Sequence, residues 1–223
     1  MTNTWPRSFT KGASAVRGRA RDTKAMTDDL DKPAFGCAFT AIDFETTGTV
    51  PGWPVEPWQV GICDFCAGEG PANGFSSLLG VSAERPFNQF APGRHSLIRG
   101  ELAEAPTLGQ MWEEISPRLV GRPLVAHNAG TERSILRKAA PLHKLGPWID
   151  TLKLSRLAAP GLASYALGDV LAHFGLQASV EAACPGLEAH DAYYDAVGCG
   201  LLLMRILGLP GWERATLRDL SRM

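Results

Sequence analysis

The chain has 223 residues, 45% of them hydrophobic and 20% charged, with a formal net charge of −1. That length holds one domain with a sizeable core, and that composition excludes a disordered chain. No apolar run is long enough to span a bilayer, and the first thirty-five residues carry no apolar segment of secretory type. Five cysteines, at 37, 63, 66, 184 and 199, are too scattered for a disulfide framework, so a reducing cytoplasm is the expected compartment.

Charge is unevenly spread. Within residues 1–25, Arg7, Lys11, Arg17, Arg19, Arg21 and Lys24 face only Asp22. Polar, basic and aperiodic, residues 1–35 read as a disordered, solvated tail, with Met26 as an alternative start. A basic arm adding nonspecific attraction to nucleic acid is the other reading. Residues 36–210 read as one continuous domain and 211–223 as a short C-terminal extension.

The first predicted element is a buried strand, Ala38-Phe39-Thr40-Ala41-Ile42, ending at Asp43. A Gly/Pro-rich loop over 48–57 contains Trp53 and leads to Trp58. Strands at 58–65 and 74–79, separated by Gly68, Gly70, Pro71 and Asn73, predict an antiparallel meander. A polar loop with Pro86, Pro92 and Gly93 follows. Apolar residues at 108, 111, 112, 115 and 119 predict a helix over 107–119, entered from Pro106. A short strand over 123–126 runs through His127-Asn128-Ala129-Gly130 into a helix near 132–139. Helices are predicted near 151–157 and 164–174, and a last one from about His190 to Ile206. Strands first, then strands alternating with helices, imply a mixed sheet covered by helices, with a site at strand carboxyl ends.

The string Asp43-Phe44-Glu45-Thr46-Thr47-Gly48 carries the chemistry. Side chains two apart on a strand share a face, so Asp43 and Glu45 project together. Two like charges that close repel, and a cation between them is what keeps both ionised. Hard carboxylate oxygens suit Mg²⁺ or Mn²⁺. Two further segments hold candidate partners, His127-Asn128-Ala129-Gly130-Thr131-Glu132 and His190-Asp191-Ala192-Tyr193-Tyr194-Asp195-Ala196.

Together these three segments resemble the DEDDh exonucleases, the superfamily that includes the proofreading epsilon subunit of bacterial DNA polymerase III. The segment from Asp43 is similar to the motif Asp-x-Glu-Thr-Thr-Gly. The segment from His127 is similar to the opening His-Asn-Ala of a motif whose acid falls at Glu132, where the family has Asp; Thr131 stands where the family has an aromatic or apolar residue. In the segment from His190, a histidine precedes the last aspartate by five residues, as in the family's third motif. His95, Ala105-Pro106-Thr107 and Ile149-Asp150-Thr151-Leu152 resemble family segments lying between them in the same order. The resemblance covers roughly residues 37–208.

It implies an α/β fold of ribonuclease H-like type, a central mixed β-sheet flanked by helices. It also implies a metal-dependent 3′→5′ exonuclease that releases nucleoside monophosphates from single-stranded or frayed nucleic-acid ends, DNA favoured over RNA. Asp43, Glu45, Glu132 and Asp195 would hold two divalent cations, Mg²⁺ or Mn²⁺. His190 would take the proton from the attacking water. Thr46 and Thr47 would contact the terminal nucleotide. An RNA-trimming exonuclease is the runner-up, and a weakly active module that holds nucleic-acid ends or a polymerase is the rival from another class. A polymerase or repair protein is a possible partner, although the stretch after the last long helix is short for a polymerase-binding segment. A stand-alone nuclease without membrane association is the expectation.

Several residues have blander readings. His127 and Asn128 suit a strand-to-helix junction. Asp150 is either a distant helper or a helix cap, and Asp191 complements the start of the last long helix. Cys63-Asp64-Phe65-Cys66 has a CxxC spacing, but no further pair completes a zinc site. Trp53 and Trp58 either stack on a base or pack within their loop.

Overall fold

A computed structural model describes residues 30–223. Five strands form one sheet in the order β3-β2-β1-β4-β5. They are β1 (Phe39–Thr46), β2 (Pro57–Phe65), β3 (Ala72–Leu78), β4 (Leu124–Ala126) and β5 (Trp148–Asp150). The first three pair antiparallel, while β4 lies parallel to β1 and β5 parallel to β4. Central β1 is buried along nearly its whole length because helices cover both faces of the sheet.

The alternation along β1 assigns those faces. Phe39 and Ala41 join a core with Val125, Ile149 and the long helix α7 (Ala192–Leu207). Ile42 and Phe44 point the other way, against α2 (Trp112–Leu119) and α3 (Gly130–Ala139), through Ile115, Leu119, Ile135 and Leu136. Asp43 and Glu45 continue the Phe39–Ala41 row, so they rise on the face that α7 covers. Gly61 of β2 sets the close approach of α7: a Cβ there would lie 2.2 Å from the Ala192 backbone.

The remaining helices are α1 (Arg99–Glu104), α4 (Thr151–Ala158), α5 (Leu167–His173), α6 (Gln177–Ala183) and α8 (Leu217–Arg222). None among the described residues is long and apolar enough to cross a membrane.

The helix predicted over 107–119 forms only from Trp112. Thr107 donates its amide and hydroxyl to Gln110 Oε1, and this side-chain bonding closes a turn in place of helix. The helix predicted over 164–174 likewise starts later, after Ser164 Oγ accepts the Ala166 amide. Helix α1 lies in a stretch that reads as polar loop, and α6 and the three-residue β5 have no counterpart among the predicted elements. All three are too short to show a period.

The tail expected over 1–35 falls outside the described residues up to 29. Residues 30–35, also assigned to it, are tied to the end of the chain: Ala34 is buried and donates its amide to the Ala215 carbonyl, and Asp31 pairs with Arg218 at 2.5 Å. The folded part therefore begins before the boundary at 36. Leu217 and Leu220, in the stretch that reads as an extension, join the same core as α7.

Candidate active site

The end of β1 carries Asp43, Glu45 and Thr46, and three other segments converge on it. Opposite Glu45 on β2 stands Gln59. Gln59 donates to Asp191 Oδ2 at 2.8 Å and accepts the Ala192 amide at 3.3 Å, both within the interior. Asp191 in turn caps α7 by accepting the Tyr193 and Tyr194 amides. This polar clamp fixes the start of α7 on the sheet and sets Asp195, in the first helical turn, over β1. A glutamine amid the apolar run Trp58-Gln59-Val60-Gly61-Ile62 is the sequence signal for the clamp.

His190 precedes that cap in the left-handed region, with φ 68°. Histidine is among the residues enriched there. Its amide donates to Asp195 Oδ2 at 3.2 Å, and its side chain is exposed. Ligand atoms of Glu45, His190 and Asp195 all lie within 4.8 Å of one another. Glu132 arrives from the first turn of α3; it is 3% exposed, and its Oε2 has no hydrogen-bond partner.

The two threonines differ. Thr46 is half-buried, accepts the Gly48 amide on its hydroxyl and the Trp58 indole N–H on its carbonyl. Thr47 is wholly buried. Its hydroxyl accepts from the Glu56 amide at 3.1 Å and from Arg85 Nη2 at 3.0 Å. The Arg85 guanidinium is 1% exposed; it also donates to the Pro54 and Pro86 carbonyls and pairs with Glu56 at 3.4 Å. Arg85 thus ties the loop after β1 to the strand end. Nothing in its local sequence marks it, since its partners other than Pro86 lie about thirty to forty residues upstream.

The electrostatics follow from the crowding. Burial, reinforced by the Asp195, Asp191 and Glu132 charges, pushes Glu45 up to about 8. Burial also raises Glu132 to about 8, with a contribution from Asp150. Asp43 is held well above the usual carboxylate range by burial and by Glu132, Asp195 and Glu45. Asp195 rises to about 6, again chiefly through burial, with the His190 amide opposing. Four crowded, mutually repelling carboxylates, Glu45 and Glu132 buried and Asp43 and Asp195 half-buried, form with the orphan oxygen a hard-oxygen donor set that fits divalent cations.

The other candidates sit at junctions. Asp150 caps α4 through the Leu152 amide and also accepts the Asn128 amide. His127 donates Nε2–H to the Tyr165 carbonyl, its Nδ1 lies 3.0 Å from the Thr151 hydroxyl, and burial lowers its pKa. His95 is buried, stacks on Phe87 at 4.7 Å and bonds the Ala91 carbonyl. Trp58 is buried, whereas Trp53 is 48% exposed with Arg85 over its ring. Cys63 is buried in β2, where its thiol donates to the Ala72 carbonyl.

A mixed sheet with carboxylates gathered from β1, α3 and α7, and a histidine at their rim, defines a hydrolytic nuclease of ribonuclease H-like fold. The RNase T exonuclease family matches residues 40–200, and the chain belongs to that family, as a DEDDh-type exonuclease. It is 29% identical over 181 residues to exodeoxyribonuclease 10 of Escherichia coli K12, covering 81% of this chain and 73% of that protein. A solved structure of exonuclease X in complex with 5′-overhanging duplex DNA superposes with a TM-score of 0.62 at 27% identity, covering 82% of this chain and 99% of that one. A DNA polymerase III subunit epsilon-like protein of Rhodobacter capsulatus is 25% identical over 193 residues, which is 85% of this chain and 26% of that protein. Exonucleases of this family use divalent metal ions.

Proposed function

We propose that this chain is a 3′→5′ exonuclease acting on single-stranded or frayed DNA ends with two divalent cations, Mg²⁺ or Mn²⁺. The observation that carries the reading is the cluster itself: four carboxylates raised out of their usual range, with Glu45, His190 and Asp195 ligand atoms within 4.8 Å of one another. Its likeness to exodeoxyribonuclease 10 and to the DNA-bound exonuclease X supports DNA as the polymer.

Asp43, Glu45, Glu132 and Asp195 hold the cations, with the unpartnered Glu132 oxygen available as a donor. Bound there, the cations neutralise phosphate charge, lower the pKa of water and stabilise the leaving 3′ oxygen. His190, exposed at the rim, accepts the proton of the water that attacks phosphorus, a role that suits imidazole near neutral pH. The P–O3′ bond breaks, and the leaving oxygen takes a proton from solvent. Thr46, through its half-buried side chain and the Gly48 turn it holds, meets the terminal nucleotide. Thr47 supports that turn from below, with its hydroxyl committed to Arg85 and Glu56. A reducing cytoplasm is the expected setting, and a polymerase or repair protein is a natural partner for such an activity.

The test is degradation of 5′-labelled single-stranded DNA and RNA oligonucleotides with Mg²⁺, Mn²⁺ or EDTA. A metal-dependent ladder of shortened labelled DNA supports the reading. A faster RNA ladder would reassign the sugar, and immediate release of labelled mononucleotide would reverse the polarity. No cleavage of either polymer would leave an end-binding module.

A further inference from the structure

Helix α3 turns Glu132 toward the acidic cluster, and its opposite side faces a cavity. The cavity, of about 360 Å³, lies between α3 and the segment leading into β5, and is lined by Gly130, Arg133, Ser134, Arg137, His143 and Trp148 among others. That is the size of a small-ligand site.

The charge around it is one-sided. Residues 129–149 carry Arg133, Arg137, Lys138 and Lys144, and their single carboxylate, Glu132, is buried toward the acidic site. Arg133 and Arg137 stand one helical turn apart, a spacing at which like charges repel. Both are exposed, and neither side chain has a hydrogen bond or ion pair among the described residues. In a chain of net charge −1, such an uncompensated strip is complementary to a polyanion.

The far wall is aromatic and fixed. Trp148 is half-buried, and Gly146, at φ 99°, lies flat against its indole, where a Cβ would sit 2.6 Å from Cδ1. His143 is held edge-on by Trp112 at 5.1 Å. Cationic side chains beside an aromatic surface form the usual combination for a nucleotide unit, with phosphate on the cations and base on the ring.

Its position joins it to the acidic site. Gly130 comes two residues before Glu132, and Trp148 two residues before Asp150 at the carboxyl end of β5. From that end α3 runs back along the sheet, and Gly130 to Arg137 covers about 10 Å at the helical rise. One end of the cavity, at Gly130, therefore lies by the carboxyl end of β4, beside the turn of α3 that carries Glu132.

We infer that this cavity is an additional nucleotide subsite, which takes a phosphodiester unit of the same polymer whose end is cleaved at the acidic cluster. The inference rests on the nuclease reading above.

The experiment compares wild type, Arg133→Ala/Arg137→Ala and Arg133→Lys/Arg137→Lys on a thymidine 20-mer and a thymidine dinucleotide. Fluorescence anisotropy of the labelled 20-mer across a salt series runs beside it. The subsite predicts that the alanine pair raises KM for the 20-mer about tenfold or more with kcat nearly unchanged, and leaves dinucleotide cleavage as in wild type. It also predicts a shallower log Kd against log salt, by about 1.4 for two lost phosphate contacts on a single strand, and recovery in the lysine pair. Unchanged KM and salt slope for the 20-mer, or equal loss on both lengths, would overturn it. If wild type cleaves neither length, the nuclease reading fails on its own, and the anisotropy series still decides the subsite.

Discussion

Replacing Glu132 by Gln removes a negative charge from a site where charge opposes folding. Glu132 is 3% exposed and raised from 4.5 to about 8, mainly by burial. The sign follows from linkage. A carboxyl whose folded pKa lies above its unfolded one binds more protons when folded, so its penalty is absent below about pH 4.5, grows with pH and is complete above about pH 8. At about 1.4 kcal/mol per pH unit, the penalty is roughly 3 kcal/mol near pH 7 and about 5 kcal/mol above pH 8. Glutamine is close in shape to the protonated side chain and never incurs it. Metal-free Glu132→Gln is therefore predicted to melt only about 2–3 °C above wild type at pH 5 and about 6–12 °C higher at pH 7, at 2–4 °C per kcal/mol for a chain of this size. The assay is thermal unfolding in EDTA at pH 5, 7 and 8.5, repeated with Mn²⁺, where the order is predicted to reverse because the variant loses a ligand. A variant less stable than wild type in EDTA at pH 8.5 would refute the reasoning.

His190→Gln is predicted to lower kcat by about 10²–10⁴ with little change in melting temperature, since the side chain is exposed and its proton-accepting role is lost; single-turnover hydrolysis beside a melt measures both. Thr47→Val removes the acceptor for Arg85 and the Glu56 amide, and a loss of about 1–3 kcal/mol in urea unfolding is expected. Gly61→Ala forces a Cβ to within 2.2 Å of the Ala192 backbone. The predicted cost is roughly 1–3 kcal/mol or more, with a loss of activity from displacing Asp195 that exceeds the loss of stability measured in the same preparation.

The grouping of the acidic residues was legible in part from local rules and in part from the resemblance to known exonucleases. Alternation on β1 placed Asp43 and Glu45 on one face, and the spacing from His190 to Asp195 marked the start of a helix. The antiparallel meander was readable from its turn residues, and strand β4 from the apolar run before His127, whereas its parallel pairing with β1 depends on contacts between distant segments. What escaped depends on contacts between distant segments. Arg85 is one basic residue in a loop until the fold brings Thr47, Pro54 and Glu56 around it. Gln59 is an irregularity in an apolar strand until α7 supplies Asp191. The hydroxyl of Thr47 could not be told from that of Thr46, because only the loop anchored by Arg85 makes one interior and leaves the other at the rim. The cavity beside α3 was also hidden, since Arg133 and Trp148 belong to different elements.

The most direct test of the account is a calorimetric Mn²⁺ titration of wild type and Asp43→Asn, with hydrolysis of a 5′-labelled single-stranded DNA oligonucleotide measured on the same samples. The account predicts two Mn²⁺ per wild-type chain, weakened or incomplete occupancy in the variant, and a ladder of shortened labelled products that appears with Mn²⁺ and disappears with Asp43→Asn. Equal Mn²⁺ binding by both chains, or a ladder that persists in the variant, would contradict it.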